Sequence, residues 1–135
     1  MIALDTNVVV RLIVNDDARQ VRAAREFVLA NDVLITTSVV LETEWVLRGA
    51  YGYAPEAVNR GLRAFLGVPQ VSLAEPAIVQ MALDYHEQGL EFADALHLAS
   101  AAPAGSLATF DKKLTKAGRH MAVGIKIIEL SASRS

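Results

Sequence analysis

Short runs rich in Ile, Val and Leu alternate with longer segments of helical periodicity, and this alternation constrains the fold more than any other feature of the chain. Ile2–Leu4, Val33–Ile35, Ser106–Thr109 and Lys126–Leu130 read as strands, and Val71–Leu73 is a further candidate. Helical patterns fill the intervals at Val8–Val14, Ala18–Ala30, Val39–Tyr51, Pro55–Leu66, Pro76–Gln88, Phe92–Ala102 and Lys112–Ala117. Ser38 is a good N-cap for the third of these. Pro55 and Pro76 stand in first turns, and Gly67 and Gly89 follow helix ends, the usual asymmetry of helix punctuation. Strands that alternate with helices predict an α/β fold around a mainly parallel sheet.

The chain has 135 residues and no repeats or linkers, which predicts one domain over residues 1–135. With 53% hydrophobic and 21% charged residues, disorder is excluded. The high apolar share fits either a helix-rich core of Ala and Val or a surface kept for a partner. There is no cysteine, which removes disulfides, thiolate metal sites and thiol catalysis together. No apolar run reaches the ~20 residues needed to cross a bilayer. A strand from Ile2 leaves no room for a signal peptide, so a cytoplasmic protein with no membrane association is expected. The net charge of −2 argues against a pure nucleic-acid-binding module. It leaves room for a metallonuclease, where divalent cations meet the phosphate.

With three histidines and no cysteine, acids are the main candidates for chemistry. Asp5 closes the first strand and opens the next helix. Ligand sites form at such strand ends in open α/β sheets, and an N-cap is the plain alternative. Glu44 has Arg48 four residues later, the favourable order for a surface ion pair, so it reads as a surface residue. Glu42 has no cation at helical spacing among its neighbours Ser38, Val39, Trp45 and Val46, and is the better ligand. Asp94 lies in the apolar helical run Phe92–Ala99, where an unpaired charge is costly, and Glu91 stands three residues before it. Two acids together invite a cation. His97, three residues after Asp94, reads as a packed core histidine rather than a ligand, because carboxylate-rich sites favour hard cations. Asp111 follows the strand Ser106–Thr109 with the same two readings as Asp5, ligand or N-cap.

Asp5-Thr6-Asn7-Val8, then Val40-Leu41-Glu42 leading to Trp45-Val46-Leu47-Arg48, then Phe92-Ala93-Asp94-Ala95-Leu96-His97-Leu98-Ala99, and finally Thr109-Phe110-Asp111 follow one another along nearly the whole chain. In this order and spacing they resemble the PIN-domain family, and within it the VapC-type ribonuclease toxins of type II toxin–antitoxin pairs. The resemblance implies a PIN-like three-layer α/β/α domain with a central mainly parallel sheet of four to five strands. It also implies Mg²⁺ or Mn²⁺ binding, endonucleolytic RNA cleavage, a homodimer and a VapB-like antitoxin partner. It assigns metal-site and catalytic roles to Asp5, Glu42, Asp94 and Asp111, with Asn7 and Thr109 as polar support. Glu91 stands where family members often carry another acid, commonly aspartate.

Such a set suits hydrolysis by a metal-activated water that leaves a 5′-phosphate and a 3′-hydroxyl. RNA phosphates would be met by Arg11, Arg48 and Lys112, with Arg19, Arg22, Arg25, Lys113 and Lys116 as further candidates. Single-stranded or loop RNA, transfer RNA among the open targets, is the expected substrate. Two other readings are weighed. Asp5-Thr6-Asn7-Val8-Val9 loosely resembles the nucleophile motif of haloacid-dehalogenase-like phosphatases, but Asn7 stands where a second aspartate is usual. In the other, the acids merely cap helices of a non-catalytic interaction domain.

Overall fold

The computed structural model describes residues 1–121 and 124–132, so residues 122–123 and 133–135 of the expected domain span lie outside the described ones. The chain divides into two compact units, Met1–Val79 and Gln80–Ser135.

In the first unit, β1 (Ile2–Ala3), β2 (Val33–Ile35) and β3 (Val71–Leu73) form a parallel sheet in chain order. Ile2 stands opposite Val33, and Ile35 opposite Leu73. The crossovers are helical, as parallel pairing requires. α1 (Thr6–Val14) and α2 (Ala18–Ala30) lie between β1 and β2, and α3 (Thr37–Gly49) and α4 (Pro55–Leu66) between β2 and β3. Each helix buries one stripe. In α2 the stripe is Val21, Ala24 and Val28, and in α4 it is Val58, Leu62 and Phe65. Spacings of three and four residues put each set on one face. Val33 and Ile35 of β2 are buried, and Leu34 between them is only partly so. Burying each such side chain contributes about 1.5–3 kcal/mol. α1 approaches α4 closely at Gly61, where an added Cβ would stand 3.2 Å from Ile13 Cγ2.

α5 (Pro76–Glu87) carries the chain into the second unit. There α6 (Phe92–Ser100) is followed by a 3-10 turn, Ala102–Ala104, and a left-handed Gly105 that turns the chain into β4 (Ser106–Thr109). α7 (Lys112–His120) then leads to β5 (Lys126–Glu129), which pairs with β4 in parallel from Ser106–Lys126 to Thr109–Glu129. α6 buries Phe92, Ala95, Leu96, Leu98 and Ala99. His86, itself buried, meets the Phe92 ring edge-on at 5.4 Å. α7 lies tightly on β5. A Cβ at Gly118 would fall 2.1 Å from Ile127 Cδ1, and Arg119 Nη2 donates to the Ile127 carbonyl at 3.1 Å.

The five expected strands are all present and all pair in parallel, as the α/β reading requires. Their hydrogen bonding groups them as three and two rather than as one ladder. β1 has only two residues, and its described pairing is with β2. Capping also differs from the sequence reading. α3 begins at Thr37 behind the N-cap Thr36, and Ser38 lies inside the first turn, its hydroxyl 3.2 Å from that of Thr36. α6 ends at Ser100, because the chain tightens there into the 3-10 turn, and α7 runs on to His120. Among the described residues, no helix is long and apolar enough to cross a membrane.

Candidate functional site

Asp5 sits in extended backbone between β1 and α1, and its carboxylate caps the helix by accepting from the Thr6 amide at 2.7 Å. That bond uses Oδ1, and the residue is exposed. Asp5, Asn7 and Arg11 line one groove of about 630 Å³ in the first unit, together with apolar atoms of Ile2, Val8 and Phe27. Asn7 and Arg11 are four residues apart, so they share a face of α1. Arg11 is held by two side chains. Its Nη1 pairs with Asp16 Oδ1, and its Nη2 donates to the Tyr51 hydroxyl at 2.7 Å. The hydroxyl in turn donates to Asp16 Oδ2 at 2.9 Å. The hydrogen bonds that Arg11 donates to Asp16 and Tyr51 raise its pKa. At Asp16, desolvation pushes the carboxyl up, but the bonds from Tyr51 and Arg11 outweigh it and hold the pKa below the ordinary value.

On α3, Glu42 is exposed, with Trp45 beside it at 62% exposure. Glu44 corrects the sequence reading. It does pair with Arg48, Oε2 to Nε at 2.9 Å, but it is 2% exposed rather than a surface residue. The spacing to Arg48 identifies the partner and not the side of the helix. Glu44 falls on the stripe of Val40, Thr43 and Leu47, the buried face of α3. Arg48, expected to meet RNA, is therefore engaged with a buried acid.

In the second unit, α6 starts at Phe92 as expected, with Glu91 as its N-cap, so Asp94 occupies the first turn. An anion in this turn faces the positive end of the helix dipole. Even so, its pKa is raised, by desolvation first and by the negative charge of Asp111 second, against the smaller opposing pull of His97 and Lys113. Asp111 caps α7, its Oδ1 accepting from the amides of Lys113 at 2.9 Å and Leu114 at 3.2 Å. Thr109 Oγ1 accepts from the Asp111 amide at 3.0 Å and fixes the turn. Glu91 and Lys112 are exposed. So is His97, which corrects its reading as a packed core histidine. The buried face of α6 runs through Ala95, Leu98 and Ala99, and position 97 falls outside it.

Asp94 and Asp111 thus interact within the second unit, while Asp5 and Glu42 belong to the first. Among the described residues, no group of three or more His, Asp or Glu side chains is placed to hold a metal ion. The Asp94–Asp111 pair nevertheless has the chemistry of a hard-cation site. Two carboxylates that repel one another, one of them part-buried, gain from a divalent ion, and Mg²⁺ needs only one or two protein carboxylates. The sequence reading missed Asp16 and Tyr51. They meet Arg11 from five and forty residues away, and the longer of these contacts leaves no mark in local spacing.

No curated protein matches the chain at a significant level. The PIN domain family does match, over residues 2–120, a span that runs through both units and contains all four acids. That match decides between the two family readings open to the Asp5–Val9 run. The chain belongs to the PIN-domain family, whose general activity is that of a nuclease.

Proposed function

We propose that this PIN domain is a metal-dependent endoribonuclease in which Asp5, Glu42, Asp94 and Asp111 hold Mg²⁺, with Mn²⁺ as the alternative ion. The observation that carries the reading is the Asp94 carboxyl, held above its ordinary pKa by burial and by Asp111. Such a pair is poised to ionise fully when a cation arrives. When bound, the ion supplies positive charge at the phosphate and a water acidified toward neutrality.

The chain's own residues do the rest. Asp111 is oriented by two amides through Oδ1, which leaves Oδ2 for other work. Thr109 holds the turn that presents it. Asn7 and Glu91 act as polar support at the two helix starts. Lys112, exposed beside Asp111, and Arg11 take phosphate oxygens, and unpaired RNA is the substrate. The finer assignment is the toxin of a VapBC pair, acting in the cytoplasm as a homodimer and restrained by a VapB-like antitoxin. Apolar surface supports a protein partner, since Leu29 is 71% and Trp45 62% exposed.

Cleavage of a fluorophore–quencher RNA tests the enzyme reading. The wild type is expected to cleave with Mg²⁺ and to stop in EDTA, and Asp94→Asn to be inactive with an intact fold. Cleavage by that variant would remove Asp94 from the mechanism. Growth arrest on expression, relieved by a neighbouring small open reading frame, tests the toxin assignment.

A further inference from the structure

We infer that Asp16 and Tyr51 are positioning residues that aim the Arg11 guanidinium into the groove beside Asp5 and Asn7, where it takes an RNA phosphate. The inference rests on the ribonuclease reading above. Three side chains close a ring. Arg11 donates to Asp16 through Nη1 and to Tyr51 through Nη2, and the Tyr51 hydroxyl donates its own hydrogen bond to Asp16. Each corner is anchored separately. Arg11 is on α1, one face with Asn7. Asp16 lies in the turn between the left-handed Asn15 that ends α1 and Asp17, which caps α2 by accepting from the Gln20 amide at 3.1 Å. Tyr51 follows α3 and stacks on Tyr53, with ring centroids 6.0 Å apart and planes 24° apart.

A guanidinium has five N–H donors, and the ring uses two. Three remain, on a group whose orientation is already fixed and which shares its groove with Asp5 and Asn7. An unrestrained arginine loses rotamer freedom when it captures a phosphate, and an oriented one has lost it beforehand. Asp16 offsets part of the charge, so the gain lies in geometry more than in attraction. A plain surface ion pair would contribute little, and nothing that depends on substrate. The Tyr51 hydroxyl is what separates the two cases, because it touches Arg11 without adding charge.

The test is a double-mutant cycle read by steady-state cleavage of a short single-stranded RNA at saturating Mg²⁺, with direct binding measured by anisotropy in EDTA and melting curves for every variant. Tyr51→Phe is expected to raise KM and weaken binding about three- to tenfold, the effect of one lost hydrogen bond, with kcat changed less than about twofold. Arg11→Gln raises KM at least as much, and Arg11→Lys does not restore it, because it keeps the charge and loses the fork. In the Arg11→Gln background, Tyr51→Phe has no further effect on KM. An unchanged KM in Tyr51→Phe, or the same rise with Arg11 absent, overturns the inference while leaving the ribonuclease reading intact. A wild type that neither binds nor cleaves RNA overturns both.

Discussion

Gly118 is the point at which α7 can lie against β5, and its replacement by alanine has a calculable cost. The new methyl would stand 2.1 Å from Ile127 Cδ1, against an ordinary contact of about 3.5–4.0 Å. Its other neighbours are at normal distance, Ile127 Cγ1 at 3.6 Å and Leu98 Cδ2 at 3.8 Å. The whole conflict therefore involves one terminal methyl in a buried side chain. Forcing that methyl aside costs about 1–3 kcal/mol. Alanine returns up to about 1 kcal/mol of helix propensity, so Gly118→Ala alone destabilises by roughly 0–3 kcal/mol. Ile127→Val deletes the offending Cδ1 and costs about 0.5–1.5 kcal/mol by itself. In the double variant the clash is gone, and it should be more stable than the sum of the singles by about 1–3 kcal/mol. Urea unfolding of the four proteins, fitted with a common slope, measures the coupling. Simple additivity, within about 0.5 kcal/mol, would refute the close approach of α7 to β5 at Gly118.

Three further substitutions address the acids. Burial and Asp111 raise the Asp94 carboxyl above its unfolded value, so protonation of Asp94 favours the folded state. That contribution is complete below the unfolded pKa and is lost as pH rises through the folded one. Without metal, Asp94→Asn should therefore melt higher than the wild type at neutral pH, and the gain should vanish as pH falls below about 3.9, the ordinary aspartate value. Melting curves in EDTA from pH 3 to 8 check this, and a constant difference across that range would count against it. Glu44→Ala removes a buried carboxylate of α3 together with the charged hydrogen bond it accepts from Arg48 and should cost about 1–3 kcal/mol in chemical denaturation, whereas Glu42→Ala, exposed on the same helix, should change stability by less than about 0.5 kcal/mol.

The strands and helices were legible because their apolar spacing is local. Val33 and Ile35 alternate with Leu34, and Val58, Leu62 and Phe65 recur at helical steps, so the burial of each follows from its neighbours. Caps were less legible. Thr36 and Ser38 are chemically similar cap residues two positions apart, and only the backbone distinguishes them. Glu44 shows the limit of pair spacing, which names Arg48 correctly and says nothing of which helix face turns inward. His97 shows the same limit for a residue between buried positions. Asp5 and Asp111 do follow β1 and β4, and each caps the next helix by accepting backbone amides, the plain alternative that the sequence left open beside the ligand reading. The Asp94–Asp111 interaction and the Arg11 ring join residues 17 and 40 positions apart and depend on tertiary packing, which no window along the chain contains.

Mn²⁺ binding followed by electron paramagnetic resonance, in the wild type and in Asp5→Asn, Glu42→Gln, Asp94→Asn and Asp111→Asn, tests the proposed four-acid metal assignment most directly. Each of the four substitutions should weaken the ion by about tenfold or more while the melting curves stay cooperative. Loss of binding in the Asp94 and Asp111 variants alone, with Asp5→Asn and Glu42→Gln binding like the wild type, would contradict the assignment of metal-site roles to all four acids.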